Sequence, residues 1–60
     1  MTAEQIQAFF KARPACTVAG IAKELGIARQ HLHAAKRGEE QLSPARQQQL
    51  MDIMKRYGWG

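Results

Sequence analysis

The sequence holds one cysteine, Cys16, in sixty residues. That excludes an internal disulfide and leaves nothing that calls for an oxidising compartment. No apolar run approaches the roughly 20 residues a membrane-spanning helix needs, and no charged-then-apolar leader of the secretory type is present. Strand signals are missing as well, since β-branched residues are few and nowhere alternate with polar ones over a strand's length. Acids are scarce and scattered: five Asp and Glu stand against nine Lys and Arg. No two of them form a pair in a pocket-forming context, and so short a chain leaves little room for a substrate cleft. The expectation is a soluble, intracellular protein that is not an enzyme.

A metal or cofactor is not expected either. His31 and His33 lie two apart on a helix and so face different sides, with no third ligand near them. Cys16 has no base partner in the sequence and reads as a small, partly buried apolar residue.

What the chain does have is positive charge and punctuation. Its formal net charge is +4 and its isoelectric point about 9.9, the electrostatic profile of a protein that binds a polyanion. One domain over residues 1–60 is all the length allows. Such a domain buries only about 60% of the surface its unfolded chain exposes, so self-association would offset a thin core.

The punctuation predicts an all-α fold, a compact bundle of four short helices. Thr2 and Gln5 form a capping-box pattern ahead of Ile6, Phe9 and Phe10, and Arg13-Pro14 ends that segment. Thr17 caps a second helix with Ile21, Ala22 and Leu25 on one face, and Gly26 stops it. A third runs from about Ala28 to Arg37, with Ile27 and Leu32 turned inward and Gly38 closing it. Ser43-Pro44 opens a fourth, whose apolar stripe is Leu50, Ile53, Met54 and Tyr57 before Gly58. With Leu42 these apolar residues make one small helical core. Trp59 lies beyond the last helix; it either folds back over the core, lies in a dimer contact or belongs to a disordered tail.

The segment 18–37, VAGIAKELGIARQHLHAAKR, has the layout of a helix-turn-helix. Two short helices meet at a glycine that tolerates positive φ, small Ala22 permits close approach, and Ile27 and Leu32 fill the wedge. On these residues the chain resembles the Cro and lambda-repressor-like family. Thr17 to Ile27 looks like the first half of that family's motif, Ala22, Gly26, Ile27 and Leu32 match its spacing, and Lys36-Arg37-Gly38 through Leu42-Ser43-Pro44 resembles its continuation. The resemblance covers roughly residues 2 to 57. One departure is Ala28, where the family often has Ser or Thr, and losing that cap should cost on the order of 1 kcal/mol.

The resemblance implies a phage or prophage transcriptional regulator in the cytoplasm of a bacterial host. It would bind double-stranded DNA as a homodimer on a palindromic operator, with half-sites about 34 Å apart. Stepping about 100° per residue from a buried Leu32 sets Gln30, His33, Ala34 and Arg37 outward, with Arg29 and Lys36 on the flank. Gln pairs with adenine and Arg with guanine, so Arg29, Gln30, His33, Ala34 and Arg37 are the candidate base contacts. Thr17, Val18 and the free amides at the start of the second helix, with Lys36 and Arg46, are the candidate phosphate contacts. Arg46 is badly placed for its own helix dipole, which suggests an approaching anion. Tyr57 and Trp59 are the candidate dimer contacts. Two alternatives use the same surface: a DNA architectural or recombination accessory factor, and a protein-interaction module that binds an acidic partner.

Overall fold

A computed structural model describes residues 2–59. Its four helices are α1 (Ala3–Ala12), α2 (Val18–Leu25), α3 (Arg29–Arg37) and α4 (Pro44–Arg56), and no strand occurs among the described residues. The expected all-α bundle is the observed fold. α1 and α2 both pack on α3, and α4 packs on α2.

Local chemistry sets most helix boundaries. The capping box at α1 is complete: Thr2 Oγ1 accepts from the Gln5 amide, and Gln5 Oε1 accepts from the Thr2 amide at 3.0 Å. Thr17 Oγ1 accepts from Gly20 at α2, and Ser43 Oγ from Arg46 at α4, where Pro44 holds the first turn. Only α3 starts without a side-chain cap, because Ala28 has no oxygen to offer.

Three helices end in the same way. Gly26 has φ 83°, a left-handed conformation that costs glycine nothing. Its amide donates to the Lys23 carbonyl and that of Ile27 to the Ala22 carbonyl, the paired bonds of a Schellman motif. The pattern repeats with Gly38 and Glu39 donating to Ala35 and Ala34, and with Gly58 and Trp59 donating to Lys55 and Met54.

Phe9, Ile21, Leu32, Leu50 and Met54 are the largest fully buried side chains. Around them lie Ile6, Phe10, Val18, Ala22, Leu25, Ala35, Leu42 and Ile53, with Cys16, Ile27 and Trp59 half-buried against the cluster. Full burial of one such large side chain stabilises the fold by about 1.5–3 kcal/mol. Among the described residues, no charged or polar residue is buried.

Two expectations about the core change. Tyr57 is 42% exposed: α4 ends at Arg56, and the phenol lies outside the core with its hydroxyl donating to Glu24 Oε2 at 2.8 Å. Trp59 takes the first of its three alternatives. Its ring meets Phe9 edge-on at 5.9 Å between centroids, as the residue after a helix-ending glycine often packs back on the helix it follows.

Candidate nucleic-acid interface

The α2–α3 turn is held from three sides. Gly26 reverses the chain, Ile27 packs partly into the core, and Arg46 of α4 donates through Nη1 to the Leu25 carbonyl at 2.9 Å. The first turn of α4 therefore sits beside the last turn of α2 and the start of α3.

The start of α3 is rich in hydrogen-bond donors. Neither α3 nor α4 has an acid among the residues of its own first turn, although across space the Glu40 carboxylate meets His31 in the first turn of α3. The first α3 bonds come from His31 and Leu32 to the Ala28 carbonyl, as those of α1 come from Gln5 and Ile6 to Thr2. The amides of Arg29 and Gln30, like those of the first two residues of α1 and α2, have no acceptor among the described residues. Beside them the Arg29 and Gln30 side chains are exposed, and His33 is half-exposed one turn further on. Of these, the helical spacing assigns Gln30 and His33 to the outward face and Arg29 to its flank.

Ala34 is not on that face. It is 7% exposed, which corrects the expectation of a base contact there. Ala34 is not part of the core cluster to which Leu32 and Ala35 of α3 belong. The returning chain closes on this turn, with the Glu39 and Glu40 amides both donating to the Ala34 carbonyl at 2.9 and 3.4 Å.

Arg37 is exposed, and its guanidinium meets Glu39 Oε1 at 3.0 Å. His31, on the neighbouring side, meets Glu40 Oε2 through Nδ1 at 2.5 Å. Glu39 thus borders the far end of α3 and Glu40 the side of its first turn, two carboxylates that a reading of the helix alone leaves out.

The candidate phosphate contacts divide. Thr17 is exposed at the start of α2, where its oxygen caps Gly20. Val18 is a core residue, so only its backbone amide faces the helix end. Lys36 lies against α1, with Nζ 5.6 Å from the centre of the Phe10 ring and its carbonyl accepting from Gln7. Arg46 has a structural partner at Leu25 and a second at Gln49 Oε1, 2.9 Å away. Its place in the first turn of α4, odd for that helix alone, is explained by the carbonyl end of α2 lying across from it.

At the other end of the molecule Arg13 organises the tail. Its guanidinium lies 5.3 Å from the Phe9 ring centre and 5.4 Å from that of Trp59, and Nε donates to the Tyr57 carbonyl at 2.6 Å. Sequence reading treats Arg13 only as the residue before a proline, and nothing in the local pattern marks its role. A carboxylate also lies by the exposed phenol: the bond to Glu24 raises the Tyr57 pKa above its usual value.

Comparison with protein-family models, with curated proteins and with solved structures finds no match for this chain. Among the described residues, no helix is long and apolar enough to cross a membrane.

Proposed function

We propose that this protein is a sequence-specific regulator of transcription that binds double-stranded DNA. In this reading α3 enters the major groove, with Arg29, Gln30 and His33 addressing base edges. The carrying observation is the start of α3: the exposed donor side chains of Arg29 and Gln30 stand beside two backbone amides without acceptors. Arg and Gln are the side chains that pair bidentately with guanine and adenine. The first turn of α2, with exposed Thr17, and the acid-free first turn of α4 supply phosphate contacts on either side.

A helix-turn-helix docking of this kind is completed by a second copy on the other half of a palindromic operator. The exposed Tyr57 and the outer face of Trp59 are where that copy would meet the first. A chain with so small a core gains from such a contact.

The experiment is selection of bound sites from a random duplex pool at near-physiological salt, followed by titration on the enriched sequence. An inverted repeat bound far more tightly than random DNA is the expected result, and its spacing measures the dimer. Enrichment of nothing, with purely salt-governed binding, replaces this reading by that of an accessory factor. Absence of DNA binding overturns it in favour of a module for an acidic protein partner.

A further inference from the structure

Tyr57 is held at its two ends by opposite charges. Arg13 Nε donates to its carbonyl at 2.6 Å, and its own hydroxyl donates to Glu24 Oε2 at 2.8 Å. A cation and a carboxylate therefore stand one tyrosine residue apart, with the exposed ring between them. That ring is the large hydrophobic group the described residues leave exposed.

Neither charge is neutralised. The ion pairs among the described residues are His31–Glu40 and Arg37–Glu39, so Arg13 has no carboxylate and Glu24 no cation. Arg13 is half-buried between the Phe9 and Trp59 rings, and its Nη nitrogens have no acceptor among the described residues. The rings hold the guanidinium in place but do not cancel its charge, and drawing a cation out of water without a counter-ion is unfavourable. Glu24 stands in the last turn of α2, the negative end of that helix, where an acid is unfavourable too. Within a single chain neither placement is explained.

A twofold axis explains both. In an isologous contact a patch meets its own copy, so a cation and an anion on either side of a centre each face the opposite charge. Tyr, Trp and Arg are also the side chains that most often carry the binding energy of protein interfaces.

We propose that this face joins two copies of the chain, with Arg13 of each protomer paired to Glu24 of the other and the two Tyr57 rings between the pairs. The inference rests on the reading of this face as the contact with a second copy. It adds the residues that fix how the copies are oriented and that exclude other partners.

The test is sedimentation velocity of the full chain without DNA, over protein concentrations up to millimolar. Wild type is expected to dimerise. R13E and E24R should each weaken dimerisation by about ten- to a hundred-fold, since each sets like charges together at two places. An equimolar mixture of R13E and E24R should dimerise at least about ten-fold more tightly than either alone, because both pairs of the mixed dimer again join opposite charges. A role confined to the fold of one chain gives no such recovery.

If R13E lowers the melting temperature, a double-mutant cycle of R13M and E24Q replaces the mixture, since methionine keeps an apolar stem between the rings. The double variant should then dimerise within about two-fold of the weaker single variant. Losses that multiply in the cycle, or a mixture no tighter than its components, overturn the pairing. A wild type that stays monomeric throughout overturns it as well, while sequence-specific DNA binding in the site selection leaves the proposed function standing. A wild-type dimer that shows the recovery but binds no DNA supports this inference, and the proposed function alone fails.

Discussion

Arg46 closes a helix that is not its own: its Nη1 donates to the carbonyl of Leu25, 2.9 Å away and 21 residues earlier in the chain. The bond ties α4 to the turn between α2 and α3, and so to the place where α3 begins. Arg46→Met should lower stability by about 1–2 kcal/mol, the range for a partly exposed hydrogen bond from a charged group. The loss is to be read as a fall in the urea midpoint at constant slope. An unchanged midpoint, together with a DNA salt slope shallower by about one, would return Arg46 to phosphate binding.

Arg29→Ala and Gln30→Ala should do the reverse. Both side chains are exposed, so stability should stay within about 0.5 kcal/mol of wild type. Discrimination at a matched base pair should fall by about 1–3 kcal/mol in each case. Competition titrations with single-base variants of the selected site measure it. Undiminished base preference in both variants would show that α3 does not read the groove.

Ala28→Ser should stabilise the fold by about 1 kcal/mol. Ala28 already has the extended backbone of a cap, φ −67° and ψ 142°, and lacks only the oxygen. The new hydroxyl would accept from the His31 amide, as the other three caps accept from the third residue of their helices, and would stand where a phosphate approaches the helix start. A higher melting temperature accompanied by weaker DNA binding would then be the combined result.

Gly26→Ala separates strain from space. The nearest heavy atom to an added Cβ is Arg46 Nη1 at 3.7 Å, an ordinary contact, so the site has room. The left-handed φ of 83° remains unfavourable for alanine, at about 1–2 kcal/mol. A thermal melt showing no loss would mean that the turn can relax to another conformation.

The Tyr57–Glu24 bond predicts a pH dependence with a definite sign. The carboxylate favours the protonated phenol, so its folded pKa lies above the unfolded value, which is about 10. The contribution is therefore complete below about pH 10 and disappears as pH rises through the folded pKa. Urea midpoints of wild type and Tyr57→Phe should differ by a constant amount through neutral pH and converge in alkali. Curves that stay parallel above that range would show that the hydroxyl contributes nothing to the fold.

Much of this was legible in the chain because the signals are local. Thr2 with Gln5, Thr17 and Ser43-Pro44 mark helix starts, and Gly26, Gly38 and Gly58 mark ends, since each acts on amides or carbonyls within a few residues. Leu32 was readable as the inward side of α3, and with it Gln30, His33 and Arg37 as outward and Arg29 as flanking. Ala34 was misread because one buried residue fixes the direction of a buried face but not its width. That width depends on everything that lies alongside, here including the returning chain at Glu39 and Glu40.

Sequence by itself determined the number of helices, their ends, and which face of each is apolar, because hydrogen-bond capping and helical period are short-range properties. Tertiary structure alone decided what the charged residues do. Nothing between positions 25 and 46 signals that a carbonyl and a guanidinium will meet. The same holds for Arg13 lying between the Phe9 and Trp59 rings, and for two glutamates facing Arg37 and His31. A long cation can reach several partners from one backbone position. Which one it takes is set only when packing of the apolar faces brings distant elements together.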